Sequence, residues 1–239
     1  MKLIRWDAPG PYTVAFTTRL GGVSEGPFES LNLGILTDDD PERVVENRRR
    51  VCAAVGADPE TATMAWQVHG GSVTEAKPKG IIERKIFEQC DGLWTDRPGQ
   101  AMALVTADCF PVALARTNGE PVLCVLHVGW RGLLEGIVDS GVAALRSDRL
   151  AAMIGPGIGP CCYEVGNDVS EPLRDRFGAG VVAGGRADLA AAIERALHGA
   201  GVAQVECAGH CTSCEPELFF SHRRDGGRTG RQGVIAYIG

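Results

Sequence analysis

The chain has 239 residues and a formal net charge of −6, which excludes nucleic acid as the main partner, because phosphate-backbone binding needs a surplus of Lys and Arg on one face. Hydrophobic residues at 44 % and charged residues at 23 % are ordinary for a globular protein, and no apolar run approaches the roughly eighteen residues of a membrane span. The start, MKLIRWDAPG, lacks a secretory signal, and nine cysteines without regular disulfide spacing point to a reducing cytoplasm.

The first strand-like run covers 12–17. A Gly-rich loop follows, TTRLGGVSEGPFESLNLG (17–34), and its Arg19, Ser24, Ser30 and Asn32 are donors suited to a polar ligand. DPERVVENRRRVCAAVG (40–56) predicts a helix: Asp40 caps it, Pro41 fits the first turn and Gly56 the position past the end. Its apolar face is Val44, Val51, Cys52 and Val55. Arg48 falls on that face while Arg49 and Arg50 turn away, so its guanidinium calls for a buried anionic partner.

Further strand-like runs lie near 64–68, 101–107, 111–116, 121–128, 150–154, 202–207 and 233–238. Two more helices are expected, from Gly132 to Leu145 and from Ala187 to Leu197, with Gly141 on the inward face of the first. Strands and helices mix without a strict βαβ rhythm, and neither a linker nor a repeat interrupts them. The expectation is a single α+β domain, 1–239, with mixed sheets flanked by helices.

The acid and thiol of ALVTADCFPVALA, Asp108 and Cys109, stand in what is otherwise a core strand. Asn118-Gly119 predicts a hairpin after it. A two-residue loop would set Phe110 opposite His127 and turn Cys109 to the other face. A three-residue loop pairs Cys109 with His127, on one face and about 3 to 4 Å apart if both hold one zinc ion. His69 in WQVHGG offers a third ligand, and two imidazoles with a thiolate leave a position open, as catalytic zinc does. The competing interpretation is a buried cysteine and hydrogen-bonded histidines.

A second cluster, ECAGHCTSCEPE, packs Cys207, His210, Cys211 and Cys214 into eight residues. It is a candidate metal box, although structural zinc usually joins ligand pairs from separate turns. SHRRDGGRTGR carries Arg223, Arg224, Arg228 and Arg231 as either a solvated loop or an anion site.

The segments TTRLGGVSEGPFESLNLG, ENRRR, QVHG, TADCFPVALA, HVGWRGLLEGI, IGPGIGPCCYEVG and CTSCEPELFFSHRRDGGRTGRQG, taken in this order, resemble the laccase-domain family. Its members are also called polyphenol-oxidase-like proteins, purine nucleoside phosphorylases of this type, or peptidoglycan editing factors. The resemblance implies that His69, Cys109 and His127 hold Zn2+, with Cu2+ as the alternative, and the C-terminal cysteines match a family motif not known for metal binding. It also implies phosphorolysis of adenosine, inosine and methylthioadenosine, with adenosine deamination as a side activity. His69, Cys109 and His127 with Arg48 form the expected catalytic set, Arg48 being the leading ligand of inorganic phosphate because it turns onto an apolar helix face. Arg19, Ser30, Asn32 and Arg131 are the expected contacts to the purine nucleoside and phosphate, and strand alternation would turn Asp108 to the opposite face as a supporting group.

Two rivals remain. Cys109 activated by a histidine could hydrolyse cell-wall precursors, and copper oxidation of phenols would need far more imidazoles than five. A non-enzymatic zinc module predicts a closed four-ligand site. A membrane partner is not expected, and a monomer is favoured.

Overall fold

The computed structural model describes residues 1–82 and 87–239. The elements in chain order are β1 (Leu3–Trp6), β2 (Tyr12–Thr17), α1 (Pro41–Val55), β3 (Thr63–Met64), β4 (Val73–Glu75), β5 (Gly92–Thr95), β6 (Met102–Thr106), β7 (Phe110–Arg116), β8 (Leu123–Val128), α2 (Trp130–Leu134), α3 (Ile137–Leu145), β9 (Leu150–Ile154), α4 (Asn167–Phe177), β10 (Val182–Ala183), β11 (Arg186–Ala187), α5 (Leu189–Gly199), β12 (Gln204–Cys207) and β13 (Gln232–Ile238).

Helix α1 forms as its caps dictate. The Asp40 carboxylate accepts the Glu42 N–H at 2.9 Å, and Gly56 closes the end in the left-handed region at φ 80°. Val44, Arg48, Val51, Cys52 and Val55 are buried, whereas Arg49 and Arg50 are exposed. The helix expected from Gly132 to Leu145 is broken in two, because Gly136 between α2 and α3 adopts φ 85° and reverses the local backbone. Helix α5 starts two residues later than expected, where the Asp188 carboxylate accepts the Ala191 N–H. Helix α4 escaped the sequence reading: its interior Pro172 and polar start mask a short buried face of Val169, Ser170 and Leu173.

Two mixed sheets build the core. One runs β1-β2-β13-β6-β3 and the other β12-β9-β7-β8-β5-β4. Val14, Phe16, Met102, Leu104, Val234 and Ala236 of the first meet Ala113, Ala115, Leu123, Val125 and Met153 of the second. The far face of the six-stranded sheet carries Val112, Leu114, Cys124 and Leu126 against Leu133, Ile137, Leu145, Ile193 and Leu197 of the helices. Helix α1 covers the far side of the five-stranded sheet through Val51, Cys52 and Val55, packed with Ala15 and Ile235. Both sheets are thus apolar on two faces, which is why their central strands read as unbroken apolar runs rather than alternations. The mixed α+β architecture expected from the sequence is the one observed. Among the described residues no helix is long and apolar enough to cross a membrane.

The hairpin register differs from both loop alternatives. Pro111 pairs with His127 and Phe110 with Val128, and Arg116 N–H reaches Val122 O, so the turn is longer than two or three residues. Pro121 cannot donate to the ladder, which moves the first full pair beyond it. The slip of two residues from the three-residue alternative keeps side-chain parity, so Cys109 shares the face of His127 but stands diagonal to it.

The segments joining β3 to β4 and β6 to β7 both cross from the five-stranded to the six-stranded sheet. His69 lies on the first crossing and Cys109 on the second.

Gly141 of α3 presses on the sheet so closely that a Cβ would stand 2.9 Å from Leu126 and 3.0 Å from Leu114. Gly141→Val is expected to lower stability by about 1–3 kcal/mol through overpacking. The check is a reduced urea midpoint at unchanged slope.

Candidate metal centre

Asp91, fully buried just before β5, organises the site. Its Oδ1 accepts His127 Nδ1 at 2.8 Å and the His69 N–H at 2.9 Å. Its Oδ2 accepts the N–H groups of Gly70 at 2.7 Å and Val68 at 3.1 Å. Burial pushes the carboxyl up, but the hydrogen bonds from His127, Gly70 and Val68 lower it on balance, so it is ionised. An ionised carboxylate only accepts, so His127 Nδ1 carries the hydrogen and Nε2 is left for the cleft.

The His69 turn is gripped from the other side by α2. A Cβ on Gly132 would lie 2.7 Å from Gly70 O, and one on Gly71 would lie 2.7 Å from Glu135 O, so only glycines let turn and helix approach. The Glu135 carboxylate accepts the Gly71 N–H at 3.1 Å. Between these holds His69 takes the left-handed region at φ 63°, strained for a side-chain-bearing residue.

The donor atoms of His69, Cys109 and His127 lie within 4.8 Å of one another, and the two imidazoles meet edge to face at 4.8 Å between centroids. Gly129 makes room for the thiol: a Cβ there would stand 3.1 Å from Cys109 Sγ and 3.4 Å from His69. Burial would raise the Cys109 thiol, but the charges and hydrogen bonds of His127 and His69 bring it down to about 6. Burial would lower His127, but Cys109 and Asp91 carry it up to about 9. Two imidazoles and a thiolate are a donor set for a soft or borderline metal ion rather than Mg2+ or Ca2+. Bonds of about 2.0 to 2.3 Å set tetrahedral donors roughly 3 to 4 Å apart, a spacing compatible with donors gathered within 4.8 Å, so the residues fit an ion.

His69 and Cys109 open on a cleft lined also by Asp108, Trp130, Arg131, Tyr163 and Leu189. Burial, and then the negative charge of Cys109, raises the Tyr163 phenol to about 12, so it stays protonated. Asp108 accepts Thr212 Oγ1 at 2.7 Å and the Arg223 N–H at 2.7 Å, anchoring the C-terminal loop rather than supporting Cys109. These bonds also hold its backbone at φ 88°.

Other expected residues are used elsewhere. Arg48 points not at an anion but at carbonyls, giving Nε and Nη2 to Leu33 O and Nη1 to Ile81 O. These lie in an apolar pocket with Val51 and Met64, apart from the cleft. Arg19 binds the carbonyls of Glu29 and Pro216, Ser30 braces its own loop, and Asn32 holds Thr37, Asp39 and Arg231. Arg224 and Arg231 likewise donate to loop carbonyls. Of the expected substrate contacts only Arg131 reaches the cleft. The proposed C-terminal box also dissolves: His210 bonds Glu215 at 2.9 Å, Cys207 is exposed on β12, and Cys211 and Cys214 face elsewhere.

Residues 13–239 match the family described as multi-copper polyphenol oxidoreductase laccase. The chain belongs to this family. Relatives of this laccase-type chain include a purine nucleoside phosphorylase of Pseudomonas aeruginosa, 37 % identical over 98 % of this chain and 96 % of that one. The purine nucleoside phosphorylase YfiH of Escherichia coli is 34 % identical over 99 % of both chains. The crystal structure of YlmD from Geobacillus stearothermophilus superposes with a TM-score of 0.92 at 33 % identity, covering 100 % of this chain and 96 % of that one.

Sequence reasoning missed Asp91, Gly129, Trp130 and Tyr163. The available signal for Asp91 was QCDGLW, an acid set between buried apolar residues and directly before a strand. Asp91→Asn keeps the shape but turns an acceptor into a donor toward His127 or the turn. It should weaken metal binding by about 10–100-fold, measured by competition with a chromophoric chelator. Gly129→Ala, which crowds Sγ, should weaken it in the same assay while leaving the urea midpoint of the metal-free protein nearly unchanged.

Proposed function

We propose that the chain is a purine nucleoside phosphorylase, one 1–239 catalytic domain that splits adenosine, inosine and methylthioadenosine with phosphate and deaminates adenosine as a side activity. The observation that carries it is that His69 and Cys109, which converge with His127 as a donor set, share one cleft with Arg131 and two aromatic walls. The names of the full-length relatives point the same way.

Zn2+ is the proposed ion, Cu2+ the alternative, and when bound it supplies Lewis acidity at the cluster. Trp130 and Tyr163 offer faces for a purine. The protonated Tyr163 hydroxyl donates a hydrogen bond, and the exposed Arg131 guanidinium, 4.9 Å from the Trp130 ring, takes phosphate. In phosphorolysis a phosphate oxygen bonds to C1′ while the C1′–N9 bond breaks. The bonding pair leaves with the purine, which gains a proton, giving adenine and ribose 1-phosphate from adenosine. Deamination adds water at C6 and releases ammonia, giving inosine.

Copper oxidation is disfavoured because only two of five imidazoles converge. His198 bonds Val202 O and His210 bonds Glu215. One observation favours a cysteine hydrolase acting on cell-wall precursors: Cys109, His127 and Asp91 follow one another as thiol, imidazole and carboxylate. A second imidazole on the same sulfur serves a metal better than a thiol nucleophile. Nine free thiols suit a cytoplasmic setting, and a monomer is proposed.

Metal-quantified protein given adenosine should yield adenine and ribose 1-phosphate with phosphate present, and traces of inosine without it. Chromatography showing no nucleoside product under either condition sinks the proposal, and activity that survives chelation points to the thiol enzyme. Arg131→Ala should raise the KM for phosphate about tenfold, as expected for a lost charge-assisted contact. Arg48→Ala should leave that KM unchanged while costing about 1–3 kcal/mol of stability, because it orphans two buried carbonyls.

A further inference from the structure

Besides the cleft's donor triad, two pairs of thiols meet that the sequence keeps about fifty residues apart. The Sγ atoms of Cys161, Cys162, Cys211 and Cys214 all lie within 4.8 Å of one another. Cys214 Sγ stands 3.2 Å from that of Cys161 and 3.3 Å from that of Cys162, and all four are free thiols. We propose that Cys161, Cys162, Cys211 and Cys214 form a second metal site, a closed tetrathiolate that takes Zn2+ and clamps the wall of the cleft.

Cys211 and Cys214 have the two-residue spacing usual in structural zinc sites, and the adjacent Cys161 and Cys162 complete a four-sulfur set from a separate turn. Each pair sits on a hydrogen-bonded turn. Cys162 N–H donates to Gly159 O at 3.0 Å, and Cys214 N–H to Cys211 O at 3.2 Å. The two turns are sewn together by the Thr212 N–H donating to Gly157 O at 3.0 Å, so the thiols are gathered without help from an ion. Gly159 N–H also donates to Cys211 Sγ at 3.2 Å, a bond that steadies a thiolate ligand and its charge. A Cβ on Gly159 would stand 3.2 Å from Cys211 Cβ and 3.3 Å from Cys161 Sγ, so a larger residue would crowd the sulfurs. Cys161 and Cys214 are exposed, which leaves an entry path.

Soft sulfur donors in this number select zinc over magnesium or calcium. Binding forms four metal–sulfur bonds and sends the thiol protons to solvent, with no electron transferred. Four protein donors fill a tetrahedral ion, so the site is structural rather than catalytic. Its neighbours supply the consequence: Ile158 and Tyr163 flank the first pair and line the cleft, and Thr212, inside the second pair, holds Asp108. The inference stands whichever reaction the cleft performs.

The test uses the full chain, purified reduced and without chelator. Metal analysis should find two zinc ions per wild-type chain, one in His69→Ala, and one in the double variant Cys211→Ser/Cys214→Ser. Stripped, reduced His69→Ala protein titrated with Co2+ should take up one equivalent, with the thiolate-to-cobalt charge transfer of a four-sulfur tetrahedral site. This arm needs no cysteine variant to fold. Uptake without that charge transfer, a zinc count unchanged by the cysteine pair, or a disulfide among these four residues in freshly purified protein each overturns the proposal.

Discussion

A carboxylate buried without contact to water is costly unless its lone pairs are filled, and Asp91 fills them with the ring of His127 and three consecutive backbone N–H groups at Val68, His69 and Gly70. One side chain therefore fixes the orientation of one imidazole and the backbone from which the other springs. Its own carbonyl also accepts the His127 N–H at 2.7 Å. The helix on the far side of the turn, the glycines that let it approach and the strained His69 backbone all follow from keeping that turn against Asp91. The cleft, its thiolate and its aromatic walls are assembled around this hold.

The fold was legible where local chemistry is strong. Asp40, Pro41 and Gly56 define α1 because capping is a contest among adjacent atoms. Central strands such as β7 and β13 announce themselves by apolar runs longer than any turn could use. What escaped was decided by tertiary partners. β1, β4 and β5 are short strands whose pairing, not propensity, makes them strands, and the break at Gly136 rests on a left-handed backbone that the continuous apolar pattern does not announce. The hairpin register turned on Pro121, whose missing N–H shifts the ladder without altering the parity that puts Cys109 and His127 on one face.

The candidate site was legible in the three side chains that come together and not in their support. His69, Cys109 and His127 stand in recognisable motifs, whereas Asp91 acts through bonds to residues distant in sequence, and one-dimensional spacing carries no trace of that. Arg48 teaches the complementary lesson. Its place on an apolar helix face correctly requires a buried partner, but a guanidinium is satisfied as well by carbonyls as by an anion. Pairing Cys211 and Cys214 with Cys207 and His210 failed for a similar reason, since the partners gathered in space come from the turn at Cys161 and Cys162.

Two of the three donors in the cleft ride on segments that pass between the sheets, while His127 belongs to the six-stranded sheet alone. The span between the donors is thus set by how the sheets seat on each other, through Phe16, Met102 and Leu104 against Val125 and Met153. Close-packed interiors resist compression, so an ion of the wrong size would have to shift a core interface rather than bend a loop. The size of ion that these donors would accept is thus set in part by apolar side chains that would never touch it.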